Sequence, residues 1–306
     1  AVTTPLTACA RPAVTAMTLT YVLPGALPAT LAMQPSGATW SADLPPQPDG
    51  TVVRYQVAVE LDDGTHLAFP DNPADPMYQL FLGNATPLYC ERFDGDPRWM
   101  QGGAMGWEVA PPFGRAGDPD VTFTGVRMLG TNLSGSGLYP ANTSTSITMP
   151  AIATAGFTAV HLQFRRWLVS NASDRAAIEV ASTAVWQSSA ELDHVDREWR
   201  FVDVELPPGE IAATWSIAAD ATGERGGWNL DDVCVVGIGK LATCGDGFVD
   251  ATEECDGGDN CNADCTVAGG GCCSTGGDPG AALVLAFLAG YRKVRRSRVS
   301  SARCPR

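Results

Sequence analysis

A chain of 306 residues, 45% hydrophobic and 18% charged, is long enough for more than one packed domain and too apolar for a disordered polymer. Its 33 Gly and 22 Pro favour short strands and turns over long helices. The formal charge is −14, yet seven of the 20 basic residues crowd into positions 292–306, which leaves residues 1–291 at −21 (13 basic against 34 acidic). Such a surface repels phosphate backbones and excludes nucleic acid as a partner.

Residues 1–16 read as a linker. The chain opens on Ala1 with no basic segment followed by an apolar run. The tail of a longer protein is the expectation, and a removed signal peptide is the alternative.

Residues 17–86 carry six short strand patterns, at 17–23, 29–34, 38–44, 52–61, 66–70 and 77–83. In the fourth, Val53, Tyr55, Val57 and Val59 alternate with Arg54, Gln56, Ala58 and Glu60. That is the two-residue period of a strand with one buried face. Asp63-Gly64 supplies a hairpin turn to the fifth. This segment resembles a fibronectin type III or immunoglobulin-like β-sandwich, which implies a small all-β module.

Residues 87–239 hold about nine further patterns separated by Gly, Pro, Asn and Asp, a number that suits a jelly roll. They lie at 88–93, 121–129, 144–152, 159–169, 175–182, 184–188, 198–206, 213–220 and 228–237. The segment opens on Cys90-Glu-Arg-Phe93-Asp94, followed by Gly106-Trp107. It closes on Gly227-Trp228-Asn229-Leu230-Asp231-Asp232-Val233-Cys234. These end motifs resemble those of MAM-type jelly rolls and of the jelly-roll modules appended to secreted bacterial peptidases.

The resemblance makes the first and last strands neighbours. It implies a disulfide between Cys90 and Cys234, with two buried free thiols as the alternative. It also implies a structural calcium ion at the same edge, held by Asp94 and Asp231, with Glu91, Asp96 and Asp232 nearby. Asp231 and Asp232 of one strand are expected on opposite faces. A solvated acidic rim is the alternative.

Six of the ten cysteines fall in residues 244–273. Without histidine partners or paired CxxC knuckles they read as disulfides rather than zinc ligands, hence an oxidising compartment. The run 240–268, with Cys244, Cys255, Cys261 and Cys265, resembles the four-cysteine repeat of myxobacterial surface proteins. Its Asp246, Asp250 and Asp256 form a second, weaker candidate cation set. Residues 269–306 place Cys272-Cys273 before a short apolar run and a basic end. That order resembles the MYXO-CTERM sorting tail and implies processing near the cysteine pair. The apolar run of about 12 residues is shorter than the ~20 a spanning helix needs.

Catalytic chemistry has little to stand on. The three histidines, His66, His161 and His194, lie outside any HExxH pattern, and no GxSxG elbow occurs. Trp107 and Trp228 belong to the end motifs and are expected in the core. Trp167, Trp186, Trp199 and Trp215 fall on jelly-roll strands, where exposed rings would stack on sugars. The reading is therefore all-β: two consecutive β-sandwiches, a disulfide-rich unit and a sorting tail. The expected role is non-catalytic surface anchoring, as the accessory region of an upstream secreted hydrolase, most plausibly a peptidase. The partners are that domain, an extracellular protein or glycan, and a sorting protease or membrane at the C-terminus. The alternative is a stand-alone adhesin or carbohydrate-binding protein, which calls for an exposed aromatic row in a jelly-roll groove. A cryptic hydrolase would need His161 or His194 to meet carboxylates in a pocket.

Overall fold

The computed structural model describes residues 12–103, 106–240, 254–256, 258, 261–263 and 265–267. The described residues form an all-β protein of 21 strands without a helix. No helix among them is long and apolar enough to cross a membrane.

The first unit contains β1 (Val14–Val22), β2 (Ala29–Ala32), β3 (Gln34–Ser36), β4 (Thr39–Ser41), β5 (Thr51–Leu61), β6 (His66–Phe69) and β7 (Tyr78–Leu82). Five of them make an antiparallel sheet with β5 at its centre. β1 pairs one edge of β5. Along the other edge β6 and β7 follow in tandem, opposite Val57–Glu60 and Thr51–Tyr55. β3 and β4 form a separate ribbon. The expected turn at Asp63-Gly64 is present: Gly64 sits at φ 82°, and the Asp63 carboxylate accepts the Thr65 N–H. The alternation in β5 also holds, with Val53 and Val59 buried. Beyond these two, Leu19 is the unit's one other fully buried apolar side chain among the described residues.

The second unit is a two-layer sandwich. Its strands are β8 (Thr86–Glu91), β9 (Met100–Gly103), β10 (Trp107–Ala110), β11 (Met128–Thr131), β12 (Ser144–Thr148), β13 (Ile152–Ala153) and β14 (Phe157–Ser170), followed by β15 (Arg175–Val180), β16 (Thr183–Gln187), β17 (His194–Val195), β18 (Arg200–Leu206), β19 (Glu210–Ile211), β20 (Ala213–Ala218) and β21 (Gly227–Lys240). One sheet runs β10–β11–β21–β14–β17, with β8 in line on β21 and β18 in line on β14. The other runs β16–β15–β20–β12–β9. Their inner faces meet in a core that includes Leu162, Phe164, Ile178, Trp215, Trp228 and Val235. Phe164 meets Trp215 edge-on across the layers at 5.5 Å, and the Trp228 indole donates to the Ser216 carbonyl of the opposite sheet at 2.8 Å. Truncating one such buried Trp costs about 3–5 kcal/mol.

The first and last strands of this sandwich are neighbours. Cys90 of β8 stands directly opposite Cys234 of β21, and the two form a disulfide with a Cα–Cα distance of 4.1 Å. That spacing belongs to a directly opposed antiparallel pair. In the cysteine-rich unit Cys255 bonds Cys261, and Cys265 is disulfide-bonded as well. Cys244, Asp246, Asp250, Cys272, Cys273 and the rest of the tail expected at 269–306 lie outside the described residues.

One predicted strand is not formed. Residues 121–127 are a loop, and the strand begins only at Met128. The loop is held from outside its own backbone. The Asp231 carboxylate accepts the N–H groups of Phe123 and Thr124, and the Thr124 hydroxyl donates to Asp232. Side-chain acceptors thus take the donors a ladder would have used.

Candidate functional site

The residues joining the two units, 70–77, dock on a charged cluster inside the sandwich. Arg166, with its side chain 1% exposed, donates from Nε to Asp196 at 2.8 Å and from Nη2 to Asp75 of the joining segment at 2.6 Å. Asn72 donates to Asp196 at 2.9 Å, and Arg200 donates to the Met77 carbonyl at 2.6 Å. Two fully buried arginines are unusual and require paired carboxylates. Burial opposes the charge on Asp196, but Arg166 and His194 together outweigh it and hold the carboxyl well below the usual range. Burial and the nearby Arg166 lower His194.

β7 then lies along β18. The Gln79 side chain accepts the Asp203 N–H, and Phe81 meets the His161 ring edge-on at 5.2 Å. A bare strand edge invites unwanted pairing, and here the neighbouring unit covers it.

The meeting of β5 and β7 with β14 and β18 leaves a groove of about 420 Å³. Tyr55, Tyr78, Phe81, Trp199 and Phe201 line it together with Arg165, Gln79 and Leu80. The strand period explains the set. On β14, Leu162, Phe164 and Leu168 turn inward to the core, so Arg165 and Trp167 turn outward. On β18, Val202 and Leu206 turn inward and Phe201 outward. Local bonds fix the rings. The Trp199 indole donates to the Val121 carbonyl at 2.9 Å, and the Tyr78 hydroxyl donates to Glu198. Tyr55 and Tyr78 lie 5.1 Å apart, and Trp167 meets Trp199 edge-on at 6.0 Å. The Arg165 guanidinium sits 3.9 Å from the centroid of Phe123 and 5.1 Å from that of Phe201.

The exposed aromatic row expected in a jelly-roll groove is not found as such: the rings that gather are half-buried, lie in a cleft between the units, and three of the five, Tyr55, Tyr78 and Phe81, come from the first unit. Among the tryptophans expected on the jelly roll, Trp215 is buried, while Trp167, Trp186 and Trp199 are half-buried. Trp107 and Trp228 are in the core as expected. Trp99, which the sequence did not single out, is buried with them and stacks on Trp215 at 5.4 Å.

Both inner histidines meet a carboxylate. His161 Nδ1 lies 2.8 Å from Asp203, and His194 Nε2 lies 3.3 Å from Asp196. Each imidazole is at most 2% exposed, and neither lines the groove. Asp203 also accepts from Gln163, and its main chain is tied to Gln79. The two pairs hold strands and the joint in place. His66 is exposed beside Glu60.

Asp94 and Asp231 both reach the 121–127 loop. A Cβ at Gly125 would come within 2.4 Å of the Asp94 carboxylate. The expected opposition of Asp231 and Asp232 does not hold, since both side chains hold Thr124. The cause is a bulge: between Gln163 and Arg165 of β14 the register shifts, and Asp232 sits at φ 47°. An extra residue in the left-handed region resets the alternation, and Asp tolerates that region better than most residues. Burial pushes Asp231 up to about 6. Among the described residues no group of three or more His, Cys, Asp or Glu side chains is placed to hold a metal.

No family model matches the chain, and no curated protein does. Among solved structures it is similar to the K1 cleaved adhesin domain of Lys-gingipain from Porphyromonas gingivalis W83 (18% identity, 50% of this chain and 98% of that one, TM-score 0.35). The K3 cleaved adhesin domain of the same protein matches at 20% identity over 49% of this chain and 99% of its own, with TM-score 0.35. A xylan-binding domain from CBM 22 matches at 11% identity over 52% of this chain and 99% of its own, with TM-score 0.32. Scores this low fix neither ligand nor role.

Proposed function

We propose that this chain is a non-catalytic binding and accessory region of an exported protein, and that it holds an extracellular glycan in the groove between its two units. The observation that carries the reading is the convergence of five aromatic side chains, from two different sheets, on one open cleft. Half-exposed rings, two of them (Trp199 and Tyr78) fixed by their own hydrogen bonds, are preorganised to stack on the apolar faces of sugars. The bridges Cys90–Cys234 and Cys255–Cys261 support folding in an oxidising exterior. The test is a glycan array probed with the purified chain and with Trp199→Ala. Binding by the wild type that Trp199→Ala weakens at least tenfold is expected, and an empty array would end this reading.

Anchoring belongs to the same proposal. The tail at 269–306 would sort the protein to the surface of a Gram-negative cell, with Cys272 and Cys273 marking the processing point. An upstream secreted hydrolase, most plausibly a peptidase, would be the domain it serves. Deletion of 269–306 should move the protein from envelope to medium on fractionation.

A calcium ion at the closing bulge would take Asp94 and Asp231 as carboxylates and main-chain carbonyls for the remainder. What supports the reading is that Asp94 and Asp231 both reach the 121–127 loop, with Asp232 beside them. Chelation should lower the melting temperature of the wild type and leave Asp231→Asn unmoved.

A further inference from the structure

Three arginines stand close together at the joint, and two of them are consumed by architecture. Arg166 is held by Asp196 and Asp75, and Arg200 by the Met77 and Asp75 carbonyls. Arg165 is one residue from Arg166 and on the opposite face of β14. It lines the groove, and its guanidinium makes no hydrogen bond and no ion pair with any described residue. Its charged neighbours, Asp231 and Asp232, act on it only through space. The Phe123 and Phe201 rings lie against the group, 3.9 and 5.1 Å from centroid to guanidinium carbon. A guanidinium held against rings by a cation–π contact keeps its N–H donors for other partners. Those donors match a carboxylate in a two-pronged pair, which a lysine ammonium cannot reproduce.

Building on the proposed glycan groove, we infer that the ligand is an acidic glycan, with Arg165 receiving the carboxylate of a uronic acid while Tyr55, Trp199 and Phe201 stack on the flanking rings. The charge of the chain narrows the class further. Residues 1–291 carry −21, so a polyanion such as a densely sulfated chain meets a repulsive field. An isolated carboxylate on an otherwise neutral chain needs only the one local cation. The groove also favours a sugar over a peptide. Its walls are five aromatic rings with Leu80, Gln79 and Arg165, while the nearest sheet edge, that of β18, is already covered by β7. An extended peptide has no free ladder to join there.

The test is calorimetric titration of the full chain with a neutral oligosaccharide bearing one glucuronic acid, and with the same compound after reduction of its carboxyl to the alcohol. The acidic form should bind about tenfold or more tightly than the reduced form, a preference that fades as salt is raised. Arg165→Gln should erase the preference, so that acidic and reduced forms bind alike. Arg165→Lys, which keeps the charge but loses the planar fork, should retain only part of it. Unchanged melting temperatures will show that both variants fold, and the wild-type preference needs no variant at all. Equal binding of the two forms by the wild type overturns the acidic assignment and leaves the glycan groove standing. Binding of neither form, together with an empty array, removes both. Arg165-dependent binding of an acidic peptide in place of either sugar transfers the groove to a protein ligand and overturns the assignment as well.

Discussion

The two β units are built on opposite economies of burial. The sandwich of residues 87–240 encloses a continuous core from both sheets, with Phe93, Trp107, Trp215 and Trp228 among its fully enclosed rings. The sheet of residues 14–82 buries only Leu19, Val53 and Val59. A sheet with so little apolar burial cannot offset the entropy of ordering its own chain. It is placed by polar and charged contacts to its neighbour: Asp75 and Asn72 on the buried arginine cluster, and Gln79 on the edge of β18. The cost of this arrangement is a joint that depends on ionic pairing. What it provides is a cleft whose two walls belong to different units.

That contrast can be broken from either side. The largest effect is expected in the sandwich itself. Cys90→Ala with Cys234→Ala opens a loop with a sequence separation of 144. The chain-entropy model gives about 4–5 kcal/mol for a loop of this size. Chemical denaturation should show that loss as one cooperative shift in the sandwich, and a loss below ~1 kcal/mol would mean the seam is held by packing alone.

Asp196→Asn is next, at about 3–5 kcal/mol, because it leaves Arg166 buried with only the half-exposed Asp75 as anion. Asp75→Asn is milder, about 1.5–3 kcal/mol for a charged hydrogen bond, and less to the extent that water screens a side chain 26% exposed. Its readout is selective: limited proteolysis should begin in the joining residues 70–77 while near-ultraviolet circular dichroism of the sandwich tryptophans stays unchanged. If sheet and sandwich instead fail together, the first unit is not the dependent partner.

The smallest expected effect is on pH dependence. Burial pushes Asp118 up to about 7, against the hydrogen bond donated by Asn229. Its folded-state value lies above its unfolded one, so this group favours the fold at low pH, and its contribution is lost as pH rises from about 4 to 7. Asp118→Asn removes that loss. The melting temperature of the variant relative to wild type should therefore be more favourable at pH 8 than at pH 4, and an equal difference at both would show that Asp118 ionises freely.

Much of the frame was legible from residues alone. The alternation in β5 and the Asp63-Gly64 turn follow from period and turn chemistry, and the seam between Cys90 and Cys234 from the family resemblance of the end motifs. Other features were not. The segment 121–127 has the composition of a strand, and it is a loop because the Asp231 carboxylate, 108 and 107 positions away, takes the amide hydrogens of Phe123 and Thr124 while Asp232 takes the Thr124 hydroxyl. The opposed faces expected for Asp231 and Asp232 fail for a related reason, since a bulge is set by pairing with β14, which no local pattern reports.

An all-β chain with an acidic body is readable from residues alone, because strand period, turn residues and charge are local properties. The fates of Arg165 and Arg166 are not. The two are the same residue type, side by side on one strand, yet Arg166 is sealed between two carboxylates and Arg165 lines an open groove against two Phe rings, with no hydrogen-bond or ion-pair partner among the described residues. Alternation puts them on opposite faces, but which face meets carboxylates and which meets aromatic rings depends on how a second, weakly cored sheet docks from a distance along the chain.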